Sequence, residues 1–190
     1  MNKSSLKFII KDINDISEFD KEVLLKAYHN LFLKTYGVDV VGAFSKVTNT
    51  FIEDILNKNN NVLVNATNYN KAINALEEFK NNANIELLLT YYENNLVGCA
   101  KLIRINDEIC KVPEITFYNL DKNIERDLWK ETVSFISLYF SKKGYKKMYL
   151  EIPLKEGSLL IRAGELGFIE SPEDILGIEK VYTYVLNKKL

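Results

Sequence analysis

The segment Lys111–Phe168 constrains the fold of this chain more than any other, because its hydrophobic period changes twice within a short distance. Val112–Asn119 is rich in β-branched and aromatic residues, which suit a pleated, half-buried strand. Leu120–Asn123 is a short polar turn. From Ile124 the period becomes helical: Leu128, Thr132, Phe135, Ile136 and Tyr139 form one stripe, with Glu125, Arg126, Lys130, Glu131 and Lys142 largely off it. Lys142 and Lys143 give a basic last turn and Gly144 a stop. Tyr145–Leu154 is a second strand that ends near Pro153, and Leu159–Leu166 is a short helix stopped by Gly167. Strand, helix and strand at this spacing form a βαβ unit, with parallel strands and a right-handed crossover. Ligands of such units gather at the carboxyl ends of the strands. Chemistry is therefore expected near Glu114–Trp129.

The remaining segments surround this unit. Leu6–Ile10 is a first strand. Phe19–Thr35 is a helix with Val23, Leu24, Ala27, Tyr28, Leu31 and Phe32 on one stripe, an acidic start at Asp20 and Glu22, and an end at Gly37. Val38–Phe44 reads as either helix or loop, Thr50–Leu56 as helix and Val62–Val64 as a brief strand or apolar turn. Asn70–Asn82 is a helix with Ala72, Ile73, Leu76 and Phe79 on one side. Glu86–Tyr92 and Leu96–Ile105 flank the tight turn Glu93–Asn95 and form a hairpin. Asn106–Glu108 turns the chain into Ile109–Asn119. Ile169–Gly177 is irregular, and Glu179–Asn187 alternates as a last strand. The predicted class is α/β (α+β): a central mixed, mostly antiparallel sheet flanked by helices, with one central parallel strand pair, in a single domain over 1–190.

Composition narrows the function. With 25 basic and 26 acidic residues the net charge is −1, so a basic footprint for nucleic acid is absent. No apolar run approaches the roughly 18 residues that span a bilayer, and the start MNKSSLKFII does not have the form of a secretory signal. The expectation is a cytoplasmic protein without a membrane or nucleic-acid partner. Cys99 and Cys110 lie in predicted strands of the same hairpin and are expected reduced and buried. The single histidine, His29, has no ligand pattern around it, so no metal is expected.

The element order, the hairpin ENNLVGCAKLI, the strand PEITFYNL, the junction GYKKMYLEI, the ending AGELGF and the terminal YTYVLNKKL resemble the GNAT acyl-CoA N-acyltransferase superfamily. The resemblance covers almost the whole chain. It implies transfer of an acetyl group from acetyl-CoA to a primary amine by direct attack, with acetyl-CoA as the acyl donor. In that family the strand before the main helix splays from its neighbour and pairs with the pantetheine arm, and the helix start holds the pyrophosphate. By this resemblance Phe117, Tyr118 and Asn119 face the pantetheine, and Ile124–Trp129, including Glu125, Arg126, Asp127, Leu128 and Trp129, cradles the phosphates. Glu114 matches the position of a general base in family members that act on protein lysines, because amide formation needs a neutral amine. Tyr118 and Glu151 are further candidates for the acid–base work.

Two departures from the family pattern stand beside these expectations. The family's phosphate loop resembles Q/R-x-x-G-x-G/A, but here the matching segment is ERDLWK, with Leu128 and Lys130 at the glycine positions. The family's Tyr that protonates the departing thiolate is replaced by Ala163, and its early Asn by Glu156. Ser158 is the candidate substitute on the thiol side. These departures support two alternatives: a catalytically inactive GNAT-fold binding or regulatory protein, and an acyltransferase using an acyl-carrier-protein donor. Many family members dimerise through strand contacts. A homodimer is thus one expectation, and a monomer that covers its own last strand is the other. Tyr28–Phe44 and Asn70–Phe79 are expected to wall the acceptor side. The strand tyrosines Tyr91, Tyr92, Tyr182 and Tyr184 either line that groove or pack.

Overall fold

A computed structural model describes residues 5–36, 70–153, 156–170 and 179–186. The segments Val38–Phe44, Thr50–Leu56 and Val62–Val64 lie outside the described residues. The strands are β1 (Leu6–Lys11), β2 (Ile85–Tyr92), β3 (Asn95–Arg104), β4 (Ile109–Phe117), β5 (Lys147–Pro153), β6 (Ile169–Glu170) and β7 (Glu179–Val185). The helices are α1 (Glu18–Tyr36), α2 over 70–81, α3 (Lys122–Lys142) and α4 (Gly157–Glu165). The strands form one sheet in the order β1-β2-β3-β4-β5-β7-β6. Among the described strands only β4 and β5 are parallel; the other pairs are antiparallel. This is the mixed, mostly antiparallel sheet with a central parallel pair that the sequence predicts.

The β2–β3 turn shows why the hairpin closes where it does. Glu93 and Asn94 take φ of +51° and +65°. Two consecutive left-handed residues make the turn whose twist matches paired strands, and Asn tolerates that region well. On one face of the sheet, α1 and α2 cover Leu87, Leu89, Leu96 and Cys99. On the other, α3 and α4 cover Leu88, Ala100, Val112, Met148 and Leu150. The stripe on α3 behaves as expected: Leu128, Thr132 and Ile136 are fully buried, joined by Trp129, Val133 and Phe140. Cys99 and Cys110 are free, buried thiols in the two different cores, on opposite faces of the sheet. That separation explains why they do not bridge. Burial pushes both thiols up, Cys110 to about 12, so neither is a ready nucleophile.

Several expected boundaries move by a few residues, and three of them are instructive. Helix α3 begins at Lys122, two residues before Ile124, because the Asp121 side chain accepts the Asn123 N–H at 2.8 Å and caps it. Strand β5 begins at Lys147 instead of Tyr145, since Tyr145 packs edge-on against Phe140 at the end of α3, 5.2 Å between ring centroids. The stretch after Phe168 is not irregular throughout: Ile169 and Glu170 pair with Thr183 and Tyr182 of β7.

The decisive irregularity is in β4. Lys101 and Ile103 of β3 pair with Glu114 and Lys111, so β4 holds one extra residue at Val112–Pro113. Pro113 has no N–H to give a ladder, and a bulge is where a strand tolerates it. The extra residue inverts the alternation. Cys110 and Val112 face the α3 core, whereas Ile115 and Phe117 take over that face beyond the bulge. Glu114 and Thr116 are thereby turned toward α1. The Thr116 hydroxyl donates to the Ala27 carbonyl at 2.9 Å, fastening α1 to β4. Thr116→Val keeps the volume and removes this buried bond. It is expected to lower unfolding stability by about 1 kcal/mol, read as a shift in urea midpoint at unchanged slope.

Candidate active site

The parallel pairing of β4 with β5 runs from Ile109–Lys147 to Val112–Leu150 and stops there. Beyond that point β4 continues with β3, and β5 continues with β7 through Pro153–Glu179. The two central strands therefore separate, and among the described residues each keeps a strand partner on its outer side only. Tyr118 N–H donates to the Val97 carbonyl at 2.8 Å. Bonded residues alternate along an antiparallel ladder, so the N–H and C=O groups of Ile115 and Phe117 point to the opened edge. Among the described residues this row of main-chain groups has no strand partner, and it suits an extended, amide-bearing ligand. Gly98 stands behind it. A Cβ there would lie 2.3 Å from the Thr116 carbonyl oxygen and 2.5 Å from Phe117 Cδ1, so only glycine fits against this strand.

The opened edge leads to the start of α3. Phe117 is buried, Tyr118 half-buried and Asn119 exposed, with Asn119 at φ +58° where the chain turns. The N-terminal turn of α3 is Lys122–Glu125. Glu125 N–H donates to the Asp121 carbonyl at 2.8 Å. Arg126, Asp127, Leu128 and Trp129 lie past this turn, where backbone N–H groups serve the helix itself. Leu128 and Trp129 are core side chains. Arg126 Nη2 donates to Asn123 Oδ1, and Asp127 pairs with Arg162 of α4 at 3.8 Å. The helix start thus already carries a carboxylate, that of Asp121. Ser158 is exposed in the first turn of α4, and Ala163, at the position of the family's Tyr, is fully buried.

Glu114 lies on the α1 side of β4, just beyond the bulge. Its Oε2 is buried and without a hydrogen-bond partner among the described residues. Burial raises its pKa above the ordinary carboxylate value; the Lys101 ammonium and the Tyr28 hydroxyl oppose this, while Glu78 and Glu151 add to it. Around it the charges are largely matched. Lys101, 7% exposed, pairs with Glu78 of α2, and Lys111 pairs with Glu151 at 2.7 Å. Among these five charged side chains Glu114 is the carboxylate not engaged in either pair. Glu151 shares the Glu114 environment, as sequence reasoning allowed. Sequence reasoning missed Lys101, Glu78 and Tyr28. The signal for Lys101 was there, a cation in the middle of the apolar run LVGCAKLI, which a buried strand admits only with a counter-ion. Tyr28 gave no signal beyond its place in a helical stripe. Among the strand tyrosines, the Tyr91 hydroxyl donates to Asp20 Oδ2 at 3.5 Å, and Tyr184 packs on Phe168 at 4.9 Å. Among the described residues no three His, Cys, Asp or Glu converge as a metal cluster.

No family model and no curated protein matches the sequence. The N-acetyltransferase PseH of Campylobacter jejuni in complex with acetyl coenzyme A superposes with a TM-score of 0.57 at 12% identity, over 94% of this chain and 99% of that one. The chain has the GNAT fold. Spermidine N-acetyltransferase of Vibrio cholerae, in complex with CoA and spermine, gives a TM-score of 0.57 at 15% identity, covering 97% and 98% of the two chains. PaiA N-acetyltransferase of Thermoplasma acidophilum, in complex with coenzyme A, gives 0.55 at 15% identity, covering 94% and 99%. The strand separation at Pro113 lies at the centre of this GNAT sheet, between its one parallel pair.

Proposed function

We propose that this protein is an N-acetyltransferase that moves an acetyl group from acetyl-CoA to a primary amine by direct attack. The observation that carries this reading is the end of β4–β5 pairing at Val112–Leu150, which frees the Ile115 and Phe117 main-chain groups directly beside Glu114. Phe117, Tyr118 and Asn119 would receive the pantetheine arm, and the start of α3 its phosphates, with Lys122 and Arg126 as the nearby cations. The structures bound to acetyl coenzyme A or CoA support the donor.

The chemistry follows from proton balance. An alkyl ammonium, with a pKa near about 10, must lose a proton before its nitrogen can attack. Glu114 takes that proton. A carboxylate with an upward-shifted pKa is a better base at neutral pH than an exposed one, and it is the carboxylate left outside both ion pairs. The amine nitrogen then bonds to the acetyl carbon. The developing oxyanion is held by the strand N–H of Phe117, and the carbon–sulfur bond breaks. Tyr118 is the second acid–base candidate on this lip. Ala163 cannot protonate the departing thiolate, so Ser158 is proposed for that step.

A second reading rests on the helix start. The Asp121 carboxylate caps α3, and Glu125 and Asp127 follow with no glycine in the turn. A CoA pyrophosphate would meet negative charge there. This arrangement favours a donor without a nucleotide, such as an acyl-carrier protein, or a GNAT-fold regulator without catalysis. Calorimetric titration with acetyl-CoA separates the readings. Micromolar affinity, about −8 kcal/mol, is the expected result for the enzyme. No heat at millimolar ligand would reject free acetyl-CoA as donor and leave the second reading.

A further inference from the structure

We infer that Glu78 is a positioning residue for the proposed transfer: it holds the Lys101 ammonium toward α2 and so keeps it from closing on Glu114, a role that rests on Glu114 being the base. Lys101 and Glu114 are register partners on β3 and β4. Residues directly opposite each other in an antiparallel pair share a face, with Cβ atoms about 5 Å apart. A lysine stem is long and flexible enough to bring its ammonium to a carboxylate at that position. Lys101 is buried, and the Glu114 Oε2 is buried without a hydrogen-bond partner among the described residues. Two such groups side by side would ordinarily pair, because their attraction grows as water is excluded. Instead the Lys101 ammonium donates to Glu78 Oε2, across to α2.

Helix α2 is built to present that carboxylate. Ala72, Ala75 and Phe79 pack it against the sheet. Glu77, beside Glu78, is already occupied by Lys80 at 2.7 Å. An incoming alkyl ammonium must find the Glu114 lone pairs open and must not face an unbalanced cation. The Lys101–Glu78 pair meets both conditions, because Glu78 draws the ammonium aside and balances its charge. The other titratable groups near Glu114 are Tyr28 of α1, Cys99 of β3 and Glu151 of β5, the last paired with Lys111 of β4 at 2.7 Å. Of the two cations, Lys111 is thus held by Glu151 and Lys101 by Glu78. The base stays free because each neighbouring lysine is held by another carboxylate.

The test reads Glu114 directly and needs no acceptor. In protein labelled with carbon-13 at the glutamate carboxyls, the Glu114 resonance is the one missing from Glu114→Gln, and its titration midpoint is followed by NMR. The Glu78 side chain is 55% exposed, so Glu78→Gln removes its charge without touching a core. The released ammonium is expected to turn to Glu114 and lower its midpoint by about one pH unit, as an opposite charge at pairing distance does. Lys101→Met keeps the buried stem and removes the ammonium. On that background the same Glu78→Gln change is expected to lower the midpoint by less than half as much. A midpoint that rises in Glu78→Gln, or falls by less than about half a unit, overturns the inference. So does a fall that keeps half or more of its size without Lys101, which would mean direct repulsion between the two carboxylates. Lys101→Gln repeats the comparison if the methionine variant does not fold by circular dichroism. Failure of the base reading appears elsewhere: Glu114→Gln would acetylate amines at the wild-type rate whatever the midpoints do.

Discussion

Glu114→Gln is expected to slow amine acetylation by about 10²–10⁴-fold, the range associated with a positioned general base, and to abolish the acidic limb of the kcat/KM profile. The same change is expected to raise stability at neutral pH. Burial lifts the Glu114 pKa above its unfolded value. Between the two values the folded protein therefore holds more protons than the unfolded chain, and stability falls as pH rises through that window. Above the window the wild type carries the whole penalty of an ionised buried carboxylate, and the amide carries none. Activity and thermal melts measured on one preparation across pH check both halves. Loss of activity with gain of stability marks a residue retained for chemistry. Wild-type kinetics in Glu114→Gln would remove the residue from the mechanism. Reduced stability at pH 7 would mean that its contacts with Lys101 and Tyr28 outweigh the cost of burying it.

Gly98→Ala is expected to be the most damaging single-methyl change. The added Cβ would meet the Thr116 carbonyl oxygen at 2.3 Å and the Phe117 ring at 2.5 Å. Backbone cannot step aside as a flexible side chain can. Thr116 is also tied to α1, so relief at β4 must move two elements. Overpacking of this kind costs about 3 kcal/mol, which lowers the melting temperature by about 6–12 °C for a domain of this size. Because the strand displaced is the one whose Ile115 and Phe117 groups line the opening, acetyl-CoA affinity should fall with stability. A melting temperature within about 2 °C of wild type would show that β3 and β4 separate easily there. The close approach would then not be what holds the edge in place.

The two cores on opposite faces explain how such local changes reach the site. Glu114 is a β4 residue whose neighbours come from α1, α2, β3 and β5. Its protonation is therefore a property of the assembled sheet and not of the local peptide. A similar logic applies to the start of α3. The Asp121 cap stabilises the helix by satisfying an N–H that would otherwise be available to an anion. The residue that begins the helix thus competes with any phosphate for the same donors, which is why titration with acetyl-CoA is informative about a site whose glycines are absent.

The amino-acid sequence by itself determined the elements that depend on local periodicity. The stripe on α3, the alternation of the strands, the Glu93–Asn94 turn and the order of the βαβ unit are set by side chains within a few residues of one another, and they are legible without coordinates. Family resemblance then placed Glu114 on the central strand. What the tertiary structure decided is where that strand parts from β5. Pro113 marks a strand interruption in any sequence, but whether the extra residue ends the pairing depends on register with β3 and β5, which lie far away in the chain. The same holds for the partners of Glu114. Tyr28, Glu78 and Lys101 are separated from it in sequence and brought to one face by packing of two helices on a twisted sheet. A helical stripe states that Tyr28 is buried; only the assembled sheet states that it is buried on the face of β4 that Glu114 and Thr116 share.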